Sequence, residues 1–271
     1  MCITRLKIAT FAAAIASLAA SIAHAADMPL PPPVAVGGWY LRGDIGFSNQ
    51  SVGSLYNDNY LGYDSVQNIY KNFDAAPFFG LGVGYTVNNW LRFDVTGEYR
   101  GSANFHGYDI GTAAGVVYPD LYNGSKSEWT FLANGYVDLG TWWNVTPFVG
   151  GGVGVSRNTI SSFTDTSDCI ACGNPGANYY SSSNSEWSFA WALYAGLGYQ
   201  ISRDVTVELA YRYLDLGKAS TGTMVSYDGL LTSTPFEFNH LTSQDLKLGL
   251  RFNLEPFIAL PVYYPPLPSK G

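Results

Sequence analysis

The feature that most constrains this chain is the placement of its charges. Eight stretches alternate large apolar residues with small or polar ones at period two, the spacing that puts neighbouring side chains on opposite faces of a strand. In WYLRGDIGF, Trp39, Leu41, Ile45 and Phe47 share one face, while Arg42 and Asp44 share the other. In WLRFDVTGEYR, Leu91, Phe93, Val95 and Tyr99 oppose Arg92, Asp94, Glu98 and Arg100. PFFGLGVGYTV, EWTFLANGYVDL, VTPFVGGGVGVS, EWSFAWALYAGLGYQI, DVTVELAYRY and DLKLGLRFNL continue the pattern. Asp138, Glu208, Arg212, Lys247 and Arg251 join the charged faces, and no charge falls on the apolar ones. A soluble sandwich turns its polar faces outward. Here charged residues are 13 % of the chain and aromatics 15 %, against roughly a quarter charged in ordinary soluble domains. The pattern suits the reverse arrangement, with lipid against the apolar faces and the charges lining a closed interior. No mature segment has the ~18 consecutive apolar residues of a transmembrane helix.

The connections alternate in length. Short turns fall at Asn88–Asn89, around Thr141–Trp143 and at Ser202–Arg203. Long Ser-, Asn-, Gly- and Tyr-rich connections fall at about 49–75, 102–125, 158–184 and 216–239. This is the asymmetry of outer-membrane barrels, with short periplasmic turns and long outer loops. The expected fold is all-β: an eight-stranded antiparallel transmembrane β-barrel over 38–254 with four long extracellular loops. In that frame Trp39, Trp90, Trp142 and Trp143 fall at the inner interface, and Trp129, Trp187 and Tyr211 at the outer one. Two aromatic girdles are expected there because amphipathic rings prefer the headgroup level.

The ends place the chain. Arg5 and Lys7, the apolar run IATFAAAIASLAASI and the small-residue site Ala23–Ala25 read as a cleaved signal peptide over 1–25. Losing its two basic residues moves the formal charge from −7 to −9, which argues against nucleic acid as a partner. A proline-rich segment (26–37) follows, and a second (255–271) closes the chain as a periplasmic tail. Cys2 leaves with the signal; Cys169 and Cys172 read as a short disulfide stapling a loop. No cofactor or metal site is expected. Asp165 and Asp168 lack a cation-ligand pattern.

Gly80, Gly82 and Gly84 imitate a phosphate loop, but the segment runs into a strand where a dinucleotide fingerprint needs a helix. Their spacing puts all three inward, with Gly150, Gly152, Gly154, Gly196 and Gly198 doing the same elsewhere. Small residues there leave room for larger neighbours. The inward charges, Arg42, Asp44, Arg92, Asp94, Glu98, Arg100, Asp138, Glu208, Arg212, Lys247 and Arg251, are expected to pair across strands as a lumen network. Only His106 and His240 remain after signal removal; His240 and Ser243 are three apart and face opposite sides, so nucleophile and base lack a shared face.

GWYLRGDIGF, ELAYRYLDLG, LKLGLRFNL and the ADMPLPPP after the cleavage site resemble the small outer-membrane β-barrel surface proteins of alphaproteobacteria, within the OmpA-type and opacity-protein-like eight-stranded barrels. The resemblance implies an antigenic surface protein of a Gram-negative outer membrane that supports envelope integrity and has no catalytic residues. It implies contact with outer-membrane lipid and lipopolysaccharide, insertion by the barrel assembly machinery, and a host or surface ligand for the loops. A narrow ion channel is the alternative reading, and a lipid-modifying enzyme a weaker one. The chain departs from the pattern by continuing past Phe252 into its proline-rich tail.

Overall fold

The computed structural model describes residues 37–169 and 174–254, without the side chains of 168, 169 and 174–177. The expected signal peptide (1–25), the expected proline-rich segments (26–37, apart from Gly37, and 255–271) and Cys172 lie outside the described residues; the disulfide expected with Cys169 lies there too. The described residues form twelve strands, β1 (Gly38–Tyr56), β2 (Ser65–Phe73), β3 (Ala76–Thr86), β4 (Leu91–Ala113), β5 (Val116–Asp138), β6 (Val145–Cys169), β7 (Asn174–Ser181), β8 (Asn184–Gln200), β9 (Val205–Ser220), β10 (Met224–Ser226), β11 (Thr232–Ser233) and β12 (Glu237–Asn253). A 3₁₀ turn, Asp58–Gly62, follows β1.

Eight of the strands close a ring. β1 pairs with β3, and the ladder runs through β4, β5, β6, β8 and β9 to β12, which returns to β1. Every pairing is antiparallel, and closure leaves the spanning part without a free edge. At the short-turn end the chain enters beside its exit: the Leu254 amide donates to the Trp39 carbonyl at 2.9 Å.

The alternation read from sequence is the alternation observed. Trp39, Leu41, Ile45 and Phe47 are exposed on the outer wall, while Tyr40, Arg42 and Asp44 between them are buried. Between the two aromatic belts the outward positions of all eight strands are uncharged. Exposed apolar surface of this extent belongs against lipid.

The long outer connections differ from the irregular loops expected. The strands continue into them. β4 and β5 form one long hairpin, with a bulge between Arg100 and Ala103, up to a two-residue turn at Ala114–Gly115. β2 adds to β4, β7 to β6, and β10 bridges β7 to the short β11. The reason is packing. Phe73, Phe105, Tyr122, Phe163, Phe236 and Phe238 are buried together, with ring centroids 5.0 Å apart for Phe105 and Phe238 and 5.2 Å for Phe163 and Phe236. These aromatics sit among Ser, Asn and Gly, whose turn chemistry masked them. They make an outer storey with its own core above the barrel.

Candidate functional site: the filled interior and the outer mouth

An eight-stranded barrel has an interior about wide enough for side chains, and this one is filled with paired charges. At the short-turn end Arg42 meets Asp44 at 3.0 Å, Asp94 at 2.6 Å and Glu208 at 3.3 Å. Arg92 lies 3.1 Å from Glu208 and 3.2 Å from Asp138, and Arg251 lies 3.6 Å from Glu208. The Tyr40 hydroxyl donates to Asp94 at 3.1 Å, and Asn134 donates to the other Asp94 oxygen at 2.7 Å. Lys247 links this tier to the next, 3.0 Å from Asp44 and 3.1 Å from Glu98. Above it Arg212 reaches Glu98 and Asp245, each at 2.7 Å, and Arg100 reaches Asp245 at 3.0 Å. Arg100 and Lys126 both bond Glu128, and Lys126 donates to Gln50. The Arg100 and Arg212 guanidinium groups each lie over the Phe78 ring, 5.0 Å from its centre.

All eleven charged residues expected inside therefore meet in one network. Sequence reading missed Lys126, Glu128 and Asp245. The signal was present: counting back by twos from Asp138 reaches Glu128 and Lys126, and from Lys247 reaches Asp245. The completed set has seven cations (Arg42, Arg92, Arg100, Lys126, Arg212, Lys247, Arg251) and seven anions (Asp44, Asp94, Glu98, Glu128, Asp138, Glu208, Asp245), so it is neutral. The inward glycines make the space. A Cβ on Gly84 would overlap the Tyr40 ring, one on Gly150 the Tyr136 ring, and one on Gly80 would lie 2.6 Å from the Glu98 side chain.

On the outer wall Trp39, Trp90, Trp142 and Trp143 are exposed near the short turns. Trp129, Trp187 and Tyr211 are exposed toward the outer storey. Tyr99 packs on Trp129 with centroids 4.9 Å apart, and Phe131 bridges Trp129 to Trp187. Arg157, one residue past its apolar stretch, is outward and pairs in register with both Trp129 and Trp187. A guanidinium at this level can extend toward water while its stem stays on the wall.

Two histidine placements bear on catalysis. His106, expected in a loop, lies in β4, exposed and bonded to Asn123 at 3.1 Å. His240 is exposed, whereas Ser243 is buried and donates to Asp245. His240 and Ser243 therefore share no face.

The outer mouth holds a group of residues that sequence reading did not assemble. Strand register sets Asp109 opposite Asp120, Asp120 opposite Ser167, and Tyr122 opposite Asp165. The Tyr60 and Tyr122 hydroxyls donate to the same Asp109 oxygen at 2.6 and 3.0 Å. Tyr60, Tyr63, Tyr122, Tyr179, Asp120 and Asp165 line a cavity of about 500 Å³. Burial and the neighbouring carboxylates push Asp165 up to about 8; burial pushes Asp120 up to about 6, with Asp109 adding to the rise. Asp165 had appeared in the sequence only as an isolated loop acid beside Asp168, whose side chain lies outside the described residues.

A closed antiparallel barrel with an uncharged outer wall and its ionic groups enclosed is an outer-membrane β-barrel. The chain belongs to the family described as the outer membrane protein beta-barrel domain, which matches residues 10–253, and so to the outer membrane of Gram-negative bacteria. An uncharacterized protein of Brucella abortus (strain 2308) is 32 % identical over 237 residues, 77 % of this chain and 80 % of the relative. A candidate adhesin of Rickettsia prowazekii (strain Madrid E) is 27 % identical over 252 residues, 92 % of this chain and 98 % of the relative. Among solved structures, the outer membrane protein OprG of Pseudomonas aeruginosa is 16 % identical, covers 80 % of this chain and 97 % of its own, and has a TM-score of 0.47.

Proposed function

We propose that this protein is a surface protein of the outer membrane, with a structural role in the envelope and an interaction role at its outer storey, and with a lumen that is plugged. The observation that carries the reading is the neutral seven-and-seven network filling the bore. A mobile ion crossing it would have to displace buried pairs, each costly to break. Contacts with lipopolysaccharide and delivery by the barrel assembly machinery belong to this proposal, as they do for a lipid-facing exported barrel.

The interaction role rests on the rigidity of the outer storey. A surface already ordered by its own core loses little conformational entropy when a partner docks. The name of the Rickettsia relative points the same way. Among the described residues His240 and Ser243 lie on opposite faces, which keeps lipid-modifying chemistry the weaker reading. Reconstitution of the full chain in planar bilayers tests the plug. Silent bilayers are expected. Steady conductance at neutral pH would overturn it and leave the small ion channel as the better reading.

A further inference from the structure

The outer storey carries a charge problem that its own side chains leave unsolved. Asp109 and Asp120 face each other across β4 and β5. They are 0 % and 6 % exposed, and like charges directly opposite on a strand pair destabilise it. Asp165 adds a third carboxylate from β6. Its Oδ1 is shielded from solvent without a hydrogen-bond partner, and so is Asp109 Oδ1. Among the described residues no lysine or arginine lines the cavity or pairs with these three. The lumen, a short distance below, pairs every one of its acids.

What surrounds the carboxylates narrows the missing cation. Four tyrosines, Tyr60, Tyr63, Tyr122 and Tyr179, line the cavity. Their π-faces attract an organic cation, and rings with carboxylates together recognise ammonium groups. Among the described residues no three acids or histidines are gathered as metal ligands, and a hard cation such as calcium takes six to eight oxygens at about 2.3–2.6 Å. The Tyr60 and Tyr122 hydroxyls are engaged by Asp109, which fixes both rings. Among the described side chains the storey above the belts has an acidic excess as well: Asp58, Asp64, Asp74, Asp109, Asp120, Asp165, Glu186, Asp228 and Glu237 against Lys71, Lys218 and the paired Lys126. Such a field concentrates cations at the mouth.

We propose that the outer mouth binds an organic ammonium group, as a free amine or as the side chain of a lysine on a partner protein, with Asp120 and Asp165 as counter-ions inside the tyrosine-lined cavity. The site stands whether or not the lumen conducts. Binding needs ionised carboxylates, so affinity falls as the pH drops through about 8 and about 6, where Asp165 and Asp120 take up protons. The titratable groups facing them are Asp58, Tyr60 and Tyr63 from the segment after β1, Asp109 from β4, Tyr122 from β5 and Tyr179 from β7.

The test is calorimetric titration of the full chain folded in neutral detergent micelles, with cadaverine as probe and glucose as uncharged control. Saturable one-to-one binding of cadaverine and none of glucose are expected. The Asp120→Asn/Asp165→Asn variant should weaken cadaverine by about tenfold or more, equivalent to about 1.4 kcal/mol. Tyr179→Ala should weaken it while keeping both carboxylates, and the remote Asp74→Asn should leave it unchanged. Unaltered heat-modifiable gel mobility checks that each variant folds. A short peptide with one lysine, compared with its Nε-acetylated form, separates the two sources: discrimination assigns the ligand to a protein lysine, and cadaverine binding with a silent peptide assigns it to a free amine. Failure of cadaverine to saturate at millimolar concentration, equal binding by the double asparagine variant, or equal binding of glucose would overturn the proposal.

Discussion

Arg42 of β1 bonds Asp94 of β4 at 2.6 Å although β3 runs between their strands. The bond is possible because β3 presents Gly82 opposite Arg42 and Gly84 opposite Asp94. Two side-chain-free positions let a guanidinium cross a whole strand. The glycines that imitate a phosphate loop are thus part of the ionic interior.

Filling that gap should be costly. Gly84→Leu drives a side chain into the Tyr40 ring and disturbs the Tyr40–Asp94 bond. A loss of about 1–3 kcal/mol is expected from overpacking, read as a lower urea midpoint in micelles. Gly43→Leu is the contrast: it points outward, with its nearest atom, Leu81 Cδ2, at 3.7 Å, and should be near neutral.

Removing one member of a buried pair should cost more than removing both. Arg212→Met takes one of two cations from each of Glu98 and Asp245, both almost fully buried, leaving Glu98 with Lys247 and Asp245 with Arg100, and should lose about 3 kcal/mol. Arg212→Met combined with Glu98→Gln should lose less than the two single changes summed. Urea unfolding of all three variants provides the cycle.

The outer wall makes the opposite demand. Val95 is exposed on β4 between the two belts. Val95→Arg places a charge in hydrocarbon and should destabilise the barrel by about 2–4 kcal/mol when folded into lipid vesicles. The same variant should lose much less in detergent, where micelles deform around it.

The turn between β5 and β6 holds Trp143 at φ +50° and Asn144 at φ +65°, with Trp142 and Val145 bonded across it. Asparagine tolerates this left-handed region, but a tryptophan pays for it with strain of about 1–2 kcal/mol. The residue is 93 % exposed. Trp143→Gly should therefore raise stability in micelles by about 1 kcal/mol. In lipid the gain should shrink, because the variant also loses an interfacial ring.

The outer storey should be more stable in acid. Asp165 has its proton affinity raised from 3.8 to about 8 and Asp120 from 3.8 to about 6. Between the unfolded and folded values the folded state holds protons that the unfolded chain has lost, so stability falls as pH rises through that window. Hydrogen exchange at the outer rungs of β5 and β6 should speed up from about pH 5 to about pH 8, after correction for intrinsic rates. Asp165→Asn should flatten the dependence.

Residue by residue, the facing of each side chain was legible in the sequence. Period-two alternation is a property of the pleated backbone, needing no knowledge of neighbours. From Arg42 beside Leu41 to Lys247 beside Leu248, it separated the lipid wall from the interior and pointed to a closed barrel. The same rule, carried a few residues further, reaches Lys126, Glu128 and Asp245. Only tertiary structure decided which charge meets which, because Arg42 finds Asp94 through register and closure, fifty-two positions along the chain. It also decided that the Ser- and Asn-rich connections fold over Phe73, Phe105, Phe163 and Phe238. Each of those rings is isolated in its own segment and gains a partner only when four hairpins stand side by side. The row of Asp109, Asp120 and Ser167 has the same origin: three strands must align before these residues become neighbours.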